Sequence, residues 1–443
     1  MTMATPAKKT ISFKIEGGHT LSGAVTTNTA KNSAVSLLCA SLLNKGTTVL
    51  AKMPRIEEVK RILEVLESIG VTATWKENDL TLARPKKLLF GNLDVAAAMR
   101  TRSVIMLIGP LLHELKRFDL PQAGGCRLGS RTVRPHFFAL EKLGVTVHTL
   151  EQSYRVTSEP PKKNREIILY ESGDTVTENA LMAAARIEGK TTIKFASANY
   201  MVQDLCRFIV ALGVRVDGIG TTTLTVYGKK DINTNIRFSP GEDPIESMLF
   251  LSIAATTNSS ITIQRCPIDF LELELLKLEK MGFRCRVLKR YVSENGYTNL
   301  ADIKTLSSRL VALEEKIDAR PFPGLNIDNL PFFVPIAAHA KGQTLIHDWV
   351  YENRAIYYLE LAKLGADIIL ADPHRVYING PTKFKSAEVI CPPALRPAAI
   401  ILIAMLAAPG TSILRNVYSI NRGYEDLANR LRKLGAKIRM IRS

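Results

Sequence analysis

Several cations in this chain stand where helices should begin. Lys31-Asn32 comes just before the apolar run 33–43, Arg102 before 103–112 and Arg396 before 397–407. Three further apolar runs, near 180–187, 247–255 and 330–340, are headed by Thr177-Glu178-Asn179, by Asp243 with Glu246, and by Asp328-Asn329. A helix start carries unpaired N–H groups and the positive end of the dipole, so it attracts anions. Thr177 and Asp328 suit ordinary caps. Lys31, Arg102 and Arg396 oppose the dipole instead. An anionic ligand shared by these helix mouths would offset that conflict.

Two loops add reactive side chains. Gly124-Gly125-Cys126-Arg127-Leu128-Gly129-Ser130-Arg131 sets one thiol among glycines and arginines. Nearby cations lower a thiol's pKa and make it a better nucleophile or proton donor. The other reading of this loop is an inert surface cysteine. Asn421-Arg422-Gly423-Tyr424-Glu425 reads either as a further anion-binding turn or as a surface turn with an ion pair.

The elements that must position these groups repeat. Gly70, Gly144, Gly213, Gly282, Gly365 and Gly435 each follow Leu, Met or Ile at the end of an amphipathic stretch, at steps of 74, 69, 69, 83 and 70 residues. A fixed period marks one structural unit used several times. About 24 residues before most of these glycines lies a Gly-Thr-like strand start, such as Gly189-Lys190-Thr191-Thr192-Ile193. Between the landmarks lies an amphipathic helix, as at 57–68, with apolar residues at 59, 62, 63, 65 and 66. The apolar runs named above have no polar face, so they read as fully buried helices. Each unit is therefore expected to run strand, buried helix, strand, exposed helix, strand. The second unit, around 113–119, has lost the Gly-Thr signature.

Composition limits the alternatives. A chain of 443 residues predicts two large domains, and six units divide into two sets of three. The six cysteines and seven histidines show no metal-ligand spacing, so no metal is expected. The longest apolar run is about half a membrane span, and the first residues lack a secretory apolar core. Reduced thiols and a cytoplasmic enzyme are the expectation. The net charge of +17 fits anionic small substrates or nucleic acid. Its spread along the chain and an aromatic content of 7% weigh against a single-strand stacking platform.

With Lys31-Asn32, Gly124-Gly125-Cys126, Asp328, Leu395-Arg396 and Arg422-Gly423-Tyr424-Glu425 in such a frame, the chain resembles the enolpyruvyl transferases over nearly its whole length. The Ala30-Lys31-Asn32 and Gly-Gly-Cys-x-x-Gly-x-Arg motifs resemble the peptidoglycan branch rather than the shikimate branch. The resemblance implies an α/β (α+β) fold: an inside-out α/β barrel in two domains that close over substrate, with buried helices inside and sheets outside. It implies an N-terminal domain of residues 31–241 and a discontinuous C-terminal domain of 1–30 plus 242–443.

The implied reaction moves enolpyruvyl from phosphoenolpyruvate to the 3-hydroxyl of UDP-N-acetylglucosamine, with release of phosphate, by addition and elimination. Lys31, Asn32, Arg131, Arg396 and Arg422 would bind phosphoenolpyruvate, where guanidinium forks suit phosphate and carboxylate. Cys126 would donate a proton to the methylene carbon and react with fosfomycin. Asp328 would be the general base. Arg102, Arg131, Thr132, Val133, Arg134, Pro135, Asp328 and Val350 would line the nucleotide-sugar site. The resemblance implies no cofactor, no nucleic acid or membrane partner, and a monomer or weak homo-oligomer.

Three positions depart from the family pattern. Glu171-Ser172-Gly173-Asp174-Thr175 stands where the family carries a Lys-x-Ser-Val-Gly diphosphate cradle, which sets carboxylates near a diphosphate. Arg134 replaces an Asp and is expected to restore positive charge. Ala394 replaces the Asp before Leu395-Arg396. Rival expectations are an enolpyruvyl transferase with another hydroxyl acceptor (a nucleotide or a shikimate phosphate), a silent paralogue, and an RNA-binding protein similar to the RNA 3′-terminal phosphate cyclases.

Overall fold

The computed structural model describes residues 10–122, 132–159 and 165–442. The repeated unit is visible in five four-stranded sheets and one three-stranded sheet. In the third unit, Arg165–Ile168 enters parallel to Gly189–Lys194, with the buried helix Asp174–Ala185 between them in sequence. The amphipathic helix Tyr200–Ala211 follows, and then the strands Arg215–Asp217 and Thr223–Gly228. The last strand inserts between its hairpin partner and Gly189–Lys194, antiparallel to both.

Each four-stranded sheet thus has one more strand than the sequence reading expects. In the first unit the extra strand is Asp79–Ala83, joined to Thr72–Lys76 by a two-residue turn at Glu77-Asn78. Glu77 takes the left-handed conformation there, with φ 52°. The alternation Asp-Leu-Thr-Leu-Ala carries the signal, with Leu80 and Leu82 buried.

Three sheets borrow a strand from elsewhere in the chain. Ile11–Gly17 lies between Gly410–Arg415 and Lys437–Arg442 in the sixth unit's sheet, and Ser22–Thr26 pairs parallel with Ser260–Pro267 in the fourth. Ile236–Phe238 pairs parallel with Thr48–Leu50 in the first. The sheet of the second unit, Arg117–Pro121 with Ser153–Ser158 and Val145–Thr149, has three strands among the described residues.

The six landmark glycines all end an exposed helix or helical turn in the left-handed region, with φ between 79° and 96°. A side chain at those positions would be strained, which is why the Leu-Gly phrase recurs.

The helices without a polar face are the core. Every residue of Pro244–Thr256 is buried, as are Leu395 through Leu406 of Leu395–Ala407. Lys31–Ala40, Arg102–Leu111 and Asp174–Ala185 pack on one another, and Pro244–Thr256, Leu330–His339 and Leu395–Ala407 form a second set of three. Truncating one central side chain, such as Leu402 to Ala, would cost about 2–5 kcal/mol through lost transfer energy and a residual cavity.

Two buried helices depart from a uniform α-helix. Arg102–Leu107 is wound as 3₁₀ before the α-helical turn Ile108–Leu111, and Leu330–Phe332 is likewise 3₁₀ before Phe333–His339. Prolines at 110, 331 and 335 remove backbone donors from these runs. The fifth exposed helix, Ala355–Leu364, is 3₁₀ throughout.

Candidate active site

The mouths of the buried helices meet at a cleft of about 590 Å³. Lys31 and Asn32 form the first turn of Lys31–Ala40, which has no acidic residue there and no side-chain cap. The Lys31 backbone N–H instead donates to Asp243 Oδ2 at 3.2 Å, and Asp243 itself caps Pro244–Thr256. The Lys31 ammonium donates to Asn32 Oδ1 at 3.2 Å, and Asn32 Nδ2 donates to the Tyr200 hydroxyl at 3.2 Å. Burial pushes the Lys31 ammonium below its ordinary range. The Glu58 carboxylate opposes that shift, and the Arg422 and Arg396 guanidiniums add to it.

Arg396 is the second residue of Leu395–Ala407, whose first turn also lacks an acid. Its Nη2 donates to Asp328 Oδ2 at 3.1 Å and its Nη1 to the Tyr424 hydroxyl at 3.0 Å. Burial disfavours the charged guanidinium, but Tyr424, Asp328 and Asp243 override it and raise its pKa. Asp328 also faces Arg354, with Oδ1 3.9 Å from Nη1. Burial alone would raise the Asp328 pKa, yet Arg396, Arg354 and Lys31 together hold it below the usual carboxylate value. The same cations that hold it ionised weaken its basicity.

Arg422 sits at the end of the short helix Tyr418–Asn421, with its Nε 3.1 Å from Glu58 Oε2. Arg102 opens its 3₁₀ segment behind the Thr101 cap and donates through Nη2 to the Thr132 carbonyl at 3.1 Å. Lys31, Asn32, Arg102, Thr132, Asp328, Val350, Arg396 and Arg422 all line the one cleft. Val133 and Pro135 are buried beside it, and Arg134 is exposed at the start of Arg134–Glu141; none of the three lines it. The expected restoration of positive charge by Arg134 therefore has no contact in the cleft. His136, one residue after Pro135, does line it. Cys126 and Arg131, with the whole Gly-Gly-Cys loop, lie outside the described residues.

Thr177, Glu178 and Asn179 are not at a helix mouth. They lie a turn inside Asp174–Ala185, because the helix begins earlier, behind Gly173. Thr177 Oγ1 donates to the Gly173 carbonyl at 2.8 Å and accepts from the Ser197 N–H at 2.9 Å. Asp328 caps no helix either; it is taken by Arg396.

Sequence reading missed three polar contributors. Glu58 is an ordinary first-turn acid of Glu57–Ser68 by pattern, yet it is 5% exposed and lines the cleft. Arg354 is 1% exposed and bound through Nε and Nη2 to Asp348 at 2.6 and 2.7 Å, with the Tyr358 hydroxyl on the same carboxylate at 2.6 Å. His136 is buried between Thr175 and Asn179; burial and the nearby Arg102 lower its pKa to about 3, so it is neutral.

Glu171 through Thr175 also line the cleft. The Asp174 carboxylate turns onto Ser197 Oγ at 2.5 Å and Asn199 Nδ2 at 3.3 Å. Burial raises its pKa.

Comparison with known proteins agrees with this architecture. The family model for EPSP synthase (3-phosphoshikimate 1-carboxyvinyltransferase) matches residues 15–431. The chain belongs to this enolpyruvyl transferase family. A UDP-N-acetylglucosamine 1-carboxyvinyltransferase of Bradyrhizobium diazoefficiens is 32% identical over 440 residues, covering 97% of this chain and 98% of that protein. One from Borreliella burgdorferi is 31% identical, covering 98% and 99%. Among solved structures, the enolpyruvyl transferase NikO from Streptomyces tendae superposes with a TM-score of 0.82 at 23% identity, covering 98% of this chain and all of that one. An EPSP synthase from Acinetobacter baumannii superposes at 0.75 with 20% identity over 98% of this chain and all of that one. These two establish the enolpyruvyl transferase fold: two sets of three repeated units, helices inside and sheets outside.

Proposed function

We propose that this enolpyruvyl transferase moves the enolpyruvyl group of phosphoenolpyruvate to the 3-hydroxyl of UDP-N-acetylglucosamine and releases phosphate. The observation that carries the reading is the meeting of Lys31, Asp328, Arg396 and Arg422 in one cleft. The relatives' shared name supplies the acceptor.

Phosphoenolpyruvate has two anionic groups on three carbons. Lys31, Arg131 and Arg422 take the phosphate, and Arg396 with Arg422 takes the carboxylate; Asn32 orients Lys31. Docking places negative charge beside Arg396 and Lys31, which relaxes their hold on Asp328 and raises its basicity. Asp328 then accepts the proton of the sugar hydroxyl as its oxygen bonds to the central carbon of phosphoenolpyruvate. Cys126 gives a proton to the methylene carbon, which becomes a methyl group. In the second step the methyl group gives a proton back to the Cys126 thiolate, the double bond re-forms, and the carbon–oxygen bond to phosphate breaks, its electron pair leaving on the phosphate, which takes the proton held by Asp328. Arg102, Arg131, Thr132 and Val350 serve the nucleotide-sugar half of the cleft, with Val133, Arg134 and Pro135 supporting that turn.

The division into domains 31–241 and 1–30 plus 242–443 belongs to this reading, as do closure between them, the cytoplasmic setting and the place of the reaction in peptidoglycan synthesis. The borrowed strands Ile11–Gly17 and Ser22–Thr26 support the discontinuous domain.

A second reading keeps the donor and changes the acceptor. Glu171 and Asp174 in the cleft wall favour it, since a diphosphate there would face carboxylates. Phosphate release with phosphoenolpyruvate and a panel of hydroxyl acceptors separates the two. Turnover with UDP-N-acetylglucosamine supports the first; turnover only with another hydroxyl compound supports the second.

A further inference from the structure

Arg422 comes from the sixth repeat and Glu58 from the first. Their side chains meet in the cleft, Nε to Oε2, at 3.1 Å. A backbone bond links the same two residues in the opposite direction, from the Glu58 N–H to the Arg422 carbonyl at 3.3 Å. Glu58 is itself fixed: its other oxygen accepts from Thr101 Oγ1 at 2.6 Å, and its place in the first turn of Glu57–Ser68 favours a negative charge. The Glu58 side chain is 7% exposed. Among the described residues it is the only carboxylate paired with Arg422.

A guanidinium presents two faces for anions. Here Glu58 faces the Nε side as an ion-pair partner at 3.1 Å, a charge contact without hydrogen-bond alignment, and the Nη1–Nη2 edge is the one that suits a ligand. We propose that Glu58 is a positioning residue for Arg422, holding its guanidinium across the cleft from the first repeat so that its outer edge meets the anion of the donor substrate. The assignment rests on the function proposed above. It gives a role to a buried carboxylate that the reaction itself does not use. It also links the donor site to the approach of the two sets of repeats, because Arg422 is correctly aimed only while both are in contact.

Glu58 has a second effect in the same cleft. It is the anion that acts most strongly on Lys31, whose other charged neighbours are Arg422, Arg396 and Asp328 on the side-chain side and Asp243 at its backbone. Removing the Glu58 charge lowers the Lys31 pKa further, so the basic limb of donor binding moves to lower pH.

The test compares wild type, Glu58→Ala, Glu58→Gln, Arg422→Ala and the double variant Glu58→Ala/Arg422→Ala. Phosphoenolpyruvate binding is measured by calorimetry, turnover by phosphate release, and folding by thermal melting. The expected result is a donor Kd raised about tenfold or more in Glu58→Ala, with the acceptor KM changed less than about threefold. In the Arg422→Ala background, Glu58→Ala adds less than about twofold, because it acts through the missing side chain. Glu58→Gln keeps the side chain's shape; it weakens the donor less and shifts the basic limb acid-ward. If Glu58→Ala fails to fold, Glu58→Gln carries the comparison. A donor Kd within about twofold of wild type in Glu58→Gln and Glu58→Ala, or losses that multiply in the double variant, overturns the assignment. Failure of the functional reading appears in the wild type instead: donor binding without transfer to the sugar refutes the acceptor and leaves the Glu58 comparison intact. A wild type that binds no phosphoenolpyruvate overturns both.

Discussion

Asp328→Asn is the sharpest single perturbation of the proposed chemistry. The amide has the shape of the carboxylate and can still accept from Arg396 Nη2, now 3.1 Å from Asp328 Oδ2, so the cleft keeps its form. Two things change. The proton acceptor is lost, and general-base assistance is worth about 10²- to 10⁴-fold in rate. At about 1.36 kcal/mol per decade, that is roughly 2.7–5.4 kcal/mol of transition-state stabilisation. The charge that offsets Arg396 and Arg354 is lost as well, which leaves both guanidiniums more available to the donor's anions. The variant should therefore separate kcat from binding: kcat falls by about 10²-fold or more, while the donor Kd is unchanged or tighter. Single-turnover phosphate release and calorimetric titration with phosphoenolpyruvate read the two quantities. A kcat within about threefold of wild type would refute the role of base. A loss confined to donor binding would recast Asp328 as a binding residue.

Further outcomes follow from the same geometry. Arg396→Lys loses the fork that reaches Asp328 and Tyr424 together, so the donor KM should rise about tenfold or more in steady-state assays. Asp348→Ala leaves Arg354 buried without its partner and should destabilise the fold by about 3–5 kcal/mol, measured by denaturant melting; a change under about 1 kcal/mol would contradict the buried pair. Burial, aided by Asp174, raises the Glu178 pKa well above normal. A raised carboxyl pKa weakens the fold as pH climbs above the unfolded value, so the Tm advantage of Glu178→Gln over wild type should grow as pH rises above the ordinary carboxylate value, measured by melting at a series of pH values. For Asp328 the sign is opposite: its lowered pKa contributes stability above the unfolded value, and that contribution disappears as acidification passes the folded value.

The architecture was legible because its signals are local. A left-handed helix end demands Gly, and six Leu-Gly or equivalent phrases mark six helix ends. A helix apolar all round can only be buried. Hairpin strands such as Asp79–Ala83 are harder to read, because the two-residue turn Glu77-Asn78 before this one has no Gly to mark a hairpin after the strand at 71–75. The helix Asp174–Ala185 starts a turn earlier than read because its first residues are polar and face the cleft.

The site was half legible. Lys31, Arg102 and Arg396 stand out as cations on the wrong end of a helix. Glu58 and Arg354 do not, since a first-turn Glu and a loop Arg look like surface residues until tertiary packing buries them against charges distant in sequence. Arg134 shows the converse: its charge suggested a contact in the cleft, yet the helix it begins turns it outward.

The central claim is that one cleft joins a doubly anionic three-carbon donor to a sugar hydroxyl. The direct measurement is phosphate release by the wild-type protein with phosphoenolpyruvate and UDP-N-acetylglucosamine, each omitted in turn. Release that requires both, with a product heavier than the acceptor by one enolpyruvyl group, is the expected result. Release without the acceptor, or none with both present, would contradict the account.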